Sequence, residues 1–139
     1  MMVTQQRNQY LRDQILNATP ARLLTMMYDR LILDLNRAEA AQTQQNWMAA
    51  SEQLVHAQAI ITELSSSLRS GVWDGSDDLF ATYVYVNNAL MSANITRSIE
   101  LTREARELIM PLREAWHEAA ALLPGSVSAA TQKGGMTYA

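Results

Sequence analysis

The stretch that decides the fold reads ATPARLLTMMYD at positions 18–29. Thr19 can cap a helix with its hydroxyl, and Pro20 suits the first helical position, where its missing N–H leaves no hydrogen bond unmade. At about 100° per residue, one face of this helix is apolar and holds Leu24, Met27, Tyr28, Leu31, Leu35 and Ala38. Met26 and Leu33 fall on the opposite face, among arginines. Because a bundle helix needs only one apolar face, the second patch predicts a partner; the alternative is a pair of tolerated exposed side chains.

Three further helices follow from apolar spacing. The second carries a seam with alternating steps of three and four at Trp47, Ala50, Leu54, Ala57, Ile61, Leu64 and Leu68. The third, capped by Ser76 or Asp77, is predicted to turn inward Phe80, Tyr83, Val84, Asn87, Met91 and Asn94, with Leu79, Val86 and Leu90 widening that sector. After a break near residues 96–98, the fourth aligns Leu101, Ala105, Leu108, Leu112, Ala115 and Ala119. Short links favour antiparallel neighbours, so the sequence predicts an all-α, antiparallel up-down four-helix bundle.

The domain boundaries follow from the same pattern. Residues 1–17 are predicted to form a short N-terminal helix or cap, and residues 18–123 the four-helix bundle. Residues 124–139 are rich in Ser, Ala, Thr and Gly and are predicted to be a disordered tail. We expect Trp47 and Trp116, which lie at the ends of apolar seams, to be core residues.

Composition excludes several classes of function. The 139 residues carry a net charge of -3, and all but one of the eleven basic residues are arginines that alternate with acids, which argues against nucleic-acid binding. No apolar run is long enough for membrane insertion, and the first residues are polar, so we expect a cytoplasmic protein. The chain has no cysteine, which excludes disulfides and thiolate chemistry.

The sequence supports an enzymatic function only weakly. Glu114 and His117 match half of a di-iron bundle motif, but they point away from the apolar seam and no second such pair exists. We therefore expect no enzymatic activity, no metal and no cofactor. A third interpretation is a helical oligomerisation or interaction module, in which Met26 and Leu33 would form a self-association patch.

Polar and aromatic residues of the third helix are further candidates. Tyr85 points away from the predicted core amid small residues and could anchor a partner, or it could lie flat with its hydroxyl in water. Asn87 and Asn94 fall inside the apolar sector, where a buried amide must find a hydrogen-bond partner. They either fix the register of the bundle or meet backbone groups of a partner.

Several segments in this order resemble the FliS family of flagellar export chaperones. They are Tyr10, Ala18-Thr19-Pro20 with Leu23-Leu24, Met27-Tyr28-Asp29, the run from Ala57 to Leu64, the run from Tyr83 to Ile95, and the run from Leu112 to Trp116. The chain departs from the family at Ala21 and Arg22, where acidic residues are usual, and at Arg30, where Gly is common.

The resemblance implies a chaperone that wraps the unstructured C-terminal segment of flagellin, prevents premature polymerisation and delivers flagellin for export. A component of the export gate is a second expected partner, and the free protein is a candidate homodimer. The resemblance also implies that the N-terminal segment can lie over part of the client surface in the unliganded form. Its apolar residues could instead support client binding, or pack as a hydrophobic staple on the next helix. The candidate partner-binding residues are Tyr10, Leu11, Ile15, Leu23, Met26, Met27, Leu33, Tyr83, Tyr85, Asn87, Leu90 and Asn94.

Overall fold

Four long helices follow one another in a computed structural model of the chain. They are α1 (Pro20–Thr43), α2 (Trp47–Ser67), α3 (Ser76–Thr96) and α4 (Ile99–Ala121). The structure describes residues 5–9, 19–68 and 75–123, of which residues 5–9 are also helical. No strand occurs in these ranges, so the predicted all-α fold is confirmed. Most of the predicted N-terminal cap (residues 10–17) and the predicted tail (residues 124–139) lie outside the described residues.

The helix starts are set by local chemistry. The Thr19 hydroxyl accepts a hydrogen bond from the Arg22 N–H at 3.1 Å, so the predicted cap of α1 is confirmed. Asn46 caps α2 in the same way, with its side chain accepting from the backbone of the first turn. The predicted cap of α3 by Ser76 or Asp77 is wrong. Gly75, in the left-handed region at φ 97°, precedes the helix, and Ser76 is already its first residue.

The cores of α1 and α2 match the predicted stripes. In α1 the buried residues include Tyr28, Leu31, Leu35 and Ala38, and in α2 they are Ala50, Leu54, Ala57, Ile61 and Leu64. Trp47 and Trp116, expected in the core, are each only half-buried.

The predicted inward faces of α3 and α4 are confirmed in part, because only some of their residues are buried: Leu79, Tyr83, Val86, Leu90 and Ala105. In α3 the buried line is Leu79, Tyr83, Val86, Leu90 and Ala93, whereas Phe80, Val84 and Met91 are exposed. In α4 the buried residues are Thr102, Ala105 and Ile109, whereas Leu108 is exposed. Thr102 tolerates burial because its hydroxyl donates to the Ser98 carbonyl one turn earlier.

Parts of all four helices form one compact unit, Met27–Ala115. The described residues outside this unit, 5–9, 19–26 and 116–123, belong to a second unit. Within the first unit, α1 and α4 run antiparallel, because Asp29 pairs with Arg113 and Glu39 with Arg103. α2 and α3 are also antiparallel and pack along their length. The Tyr28 and Tyr83 hydroxyls meet between α1 and α3 in the core.

Candidate functional site

An apolar stripe runs along the outside of α3. Phe80, Val84, Met91 and Ile95 lie on one side of the helix, and each exposes between 44% and 75% of its surface. Large apolar side chains scattered singly on a surface need no explanation, but four in one line do. The stripe is therefore a candidate interaction surface.

The neighbouring helix α2 extends this surface. Met48 is 78% exposed and Val55 is 54% exposed, with Ala59 one turn further along. The Asn94 amide donates to the Ser51 hydroxyl at 3.1 Å, which fixes the register between the two helices. We call the surface bounded by these faces of α2 and α3 the α2–α3 groove.

The α2–α3 groove has two unequal ends. Its wide end is an open cavity of about 860 Å³ whose walls are mostly apolar and are formed by Trp47, Met48, Ser51, Glu52, Val55, His56, Ala59, Asn94 and Arg97. Its narrow end is a cavity of about 290 Å³ lined by Thr62, Ser65, Ser66, Phe80, Tyr83, Val84, Asn87 and Asn88. The first has room for large side chains, and the second has room only for smaller ones.

Charged groups are concentrated at the wide end. The Arg97 guanidinium carbon lies 5.0 Å from the centre of the Trp47 ring, within range of a cation–π interaction. On the opposite side, the Nδ1 of His56 donates to Asp34, a carboxylate of α1 with no exposed side-chain surface. Arg30 completes that pair by donating its Nε to the same carboxylate at 3.0 Å. Asp34 is therefore a buried charge with two hydrogen-bond partners, as burial requires.

The face between α1 and α4 has a different character. Glu39 accepts hydrogen bonds from both Arg103 and Arg106, and Asp29 accepts one from Arg113 at 2.7 Å. The hydrogen bonds from Arg103 and then Arg106 hold the pKa of Glu39 below its usual value, because they favour the charged carboxylate. Ion pairs thus occupy this face, whereas the α2–α3 groove is open and its lining is mostly apolar.

The core of the bundle also contains a pair of tyrosine hydroxyls that the sequence did not reveal. The Tyr28 and Tyr83 hydroxyls form a buried hydrogen bond. Burial, together with this hydrogen bond, raises the pKa of Tyr83 far above its usual value, so the Tyr83 phenol stays neutral. Each buried hydroxyl therefore has a hydrogen-bond partner.

The predicted partner-binding residues fall into three groups. Tyr10, Leu11 and Ile15 lie outside the described residues. Tyr83 and Leu90 are 1% and 0% exposed, so a partner reaches neither without opening the bundle. The others keep some exposed surface on α1 or α3: Leu23, Met26, Met27, Leu33, Tyr85, Asn87 and Asn94.

Two of the candidates on α3 lie in or beside the groove. Asn87 and Asn94 line its narrow and wide ends, respectively. The Asn94 bond to Ser51 supports a role in register, whereas the Oδ1 of Asn87 is buried with no hydrogen-bond partner in the described part of the chain. Tyr85 lies elsewhere: it is exposed and donates its hydroxyl to Glu104 of α4 at 3.0 Å.

The sequence reasoning missed the exposed apolar stripe as a functional surface. The apolar spacing predicts Phe80, Val84 and Met91 as core residues, and it gives no reason to single out Met48 or Val55. The two asparagines in the line of Val84 and Met91 were the available signal, because a core helix face rarely carries two amides.

Neither metal binding nor membrane insertion finds support in the described helices. In residues 5–9, 19–68 and 75–123, no three His, Asp or Glu side chains converge on a site that could hold a metal ion. No helix in those ranges has both the length and the apolarity needed to cross a bilayer.

Comparison with known proteins places the chain among flagellar proteins. The family model described as "FliS: Flagellar protein FliS" matches residues 3–122. The "Flagellar secretion chaperone FliS" of Bacillus subtilis (strain 168) is 28% identical over 110 residues, which are 79% of this chain and 82% of that protein. A solved structure described as "Crystal structure of flagellar chaperone from bacteria" has a TM-score of 0.66 at 19% identity and covers 84% of this chain and 95% of that chain. At that identity the structure supports the shared helical fold.

Proposed function

This chain belongs to the FliS family of flagellar chaperones, and from that premise we propose that its client is the C-terminal segment of flagellin, held along the α2–α3 groove. The exposed apolar stripe of α3 carries this proposal. Phe80, Val84, Met91 and Ile95 face water in the free protein, together with Met48 of α2. An amphipathic client helix would cover them in the way that helical ligands fill apolar grooves.

The groove also suits a client that is unstructured when free. Helix α2 has 21 residues, so at about 1.5 Å per residue the groove is about 30 Å long, enough for some five to six turns of a client helix. Burying the stripe provides the driving force, and folding of the client on the groove opposes it with an entropy cost. Coverage of that client segment would prevent flagellin from polymerising before export. We place this activity in the cytoplasm and propose a component of the export gate as the second partner.

Isothermal titration with full-length flagellin and with flagellin lacking its C-terminal segment tests the proposal. We expect binding only with the full-length protein, with a negative heat-capacity change because apolar surface is buried. Met91→Asp should weaken binding at least tenfold by placing a charge on the stripe. Leu108→Asp, at a comparably exposed apolar residue of α4 outside the groove, is the matched control and should bind normally. Equal binding by both flagellin forms would refute the assignment of the client segment.

Self-association is the competing use of the same surface. If the groove served only to join copies of this chain, the protein would elute as a dimer and Met91→Asp would make it monomeric. Adding flagellin would then leave the elution volume unchanged. A chaperone instead gives a new peak that contains both proteins.

A further inference from the structure

Arg97 has an unusual backbone conformation. It follows the last residue of α3 with φ 58° and ψ 41°, in the left-handed region, and its N–H bonds to the Ala93 carbonyl. This is the C-terminal position that glycine usually fills, because a side chain at positive φ is strained. An arginine is therefore a poor choice for the backbone here. A non-glycine residue in this strained conformation suggests that its side chain has a functional role.

The Arg97 side chain is held in place but has spare hydrogen-bonding capacity. The guanidinium lies over the Trp47 ring at 5.0 Å. Within the described ranges, no carboxylate lies within ion-pair distance of it. Contact with a ring face leaves the N–H donors at the edge of the guanidinium available, and these match a carboxylate in a two-pronged geometry.

The surroundings define what Arg97 would bind. It borders the wide end of the α2–α3 groove, where Met48 and Val55 provide apolar walls. Of the two basic side chains that line this end, His56 already donates to Asp34, whereas Arg97 has no acceptor among the described residues. Glu52 is the one acidic residue of this lining. It lies about 140° around α2 from Trp47, so it lines the side of the cavity away from Trp47 and Arg97. The Arg97 side therefore favours a negative group attached to an apolar chain.

We propose that Arg97 receives the C-terminal carboxylate of the bound client segment. This inference rests on the proposed function and adds a direction of binding. The client helix would lie parallel to α3, with its C-terminal end at the wide end of the groove and its last apolar side chains between Trp47 and Val55. The negative end of the client helix dipole and its terminal carboxylate would then face the same cation.

A pair of synthetic peptides tests this. Both cover the last ~25 residues of flagellin, long enough to span α2 as a helix; one ends in a free carboxylate and the other in an amide. For the unmodified chaperone, we expect the amide to bind about twofold to fivefold more weakly, the range of a partly exposed charge pair. For Arg97→Gln, the two peptides should bind equally.

Further variants separate a binding role from a structural one. Arg97→Gly fits the left-handed backbone, so its melting temperature should be unchanged or higher, while discrimination between the peptides is lost. Arg97→Lys keeps the charge without the planar donors and should retain part of the discrimination.

The possible failures are distinguishable. Failure of both peptides to bind any form of the chaperone would refute the proposed function. Binding of both peptides equally to the unmodified protein would refute only the role of Arg97. A loss of affinity in Arg97→Gln that is the same for acid and amide would also refute it, because Arg97 would then contact an internal acidic side chain of the client.

Discussion

Two valines on α3 provide the sharpest test of the structure. Val84 is 44% exposed on the apolar stripe, whereas Val86, two residues further on, is 0% exposed in the core. Val84→Asp and Val86→Asp are chemically the same change on the same helix. The structure predicts opposite classes of effect, because only Val86 is surrounded by protein.

The magnitudes follow from burial. Burying a valine fully is worth about 1.5–3 kcal/mol, so Val84→Asp should lose about half of that, on the order of 1 kcal/mol. Val86→Asp loses the whole amount and also places a carboxylate in the core, which adds several kcal/mol or forces the group to take up a proton. The sum is comparable to the total stability of about 5–15 kcal/mol typical of a small domain. Val86→Asp should therefore be largely unfolded.

Circular dichroism at 222 nm during heating and urea titration measures both effects. We expect Val84→Asp to melt cooperatively, with a midpoint lowered by about 4 °C, and to lose flagellin binding. If Val84→Asp destabilised the protein as severely as Val86→Asp, the inward face of α3 would be the line through Phe80, Val84 and Met91 after all. The proposed α2–α3 groove would then not exist.

Three further predictions concern buried and paired polar groups. Tyr28→Phe removes the partner of the Tyr83 hydroxyl and should lower the urea-measured free energy of unfolding by about 1–3 kcal/mol; Tyr28→Phe combined with Tyr83→Phe should recover most of it. His56→Ala removes one of two partners of the buried Asp34 carboxylate and should lower the melting temperature, with Glu52→Ala as a control that leaves it unchanged. Ion pairs hold the pKa of Glu39 below its usual 4.5, so Glu39 stabilises the folded protein fully above that pH, and this stabilisation is lost as the pH falls. Glu39→Gln should therefore make the urea midpoint fall less steeply between neutral and acidic pH.

The helices were predictable from the sequence, but the rotation of α3 was not. Two lines on this helix have the same alternating spacing: Leu79, Tyr83, Val86, Leu90 and Ala93 form one, and Phe80, Val84, Asn87, Met91 and Asn94 form the other. They differ by one residue, and both are largely apolar. Periodicity identifies a helix but cannot decide between two such lines. In the structure, the line without amides faces the core. This arrangement avoids burying the side-chain amides of Asn87 and Asn94, which would need hydrogen-bond partners.

The same ambiguity explains why the predicted buried face of α4 differs from the observed one. The line that begins at Leu101 reads as more apolar than the line through Thr102, Ala105 and Ile109, because a threonine looks unfavourable in a core. The Thr102 hydroxyl bonds to the backbone of its own helix, so its burial is tolerated. Helix α1 was predicted well because Asp29, Arg30 and Arg37 mark the solvent face clearly. Charges on one face therefore fix a helix rotation that apolar spacing alone leaves undecided.

The contrast between the two faces of the bundle argues for the α2–α3 groove as the client site. A client lying between α1 and α4 would have to remove water from Glu39, Arg103 and Arg106, or break their pairs, and uncompensated buried charges cost several kcal/mol each. A client in the groove covers Val84, Met91 and their neighbours instead, and each Å² of apolar surface removed from water contributes about 25 cal/mol in favour of binding. The acidic and basic residues that tie α1 to α4 thus disfavour docking on their own face. The exposed apolar stripe of α3 carries no such ion pairs, so an unstructured client gains by folding on it.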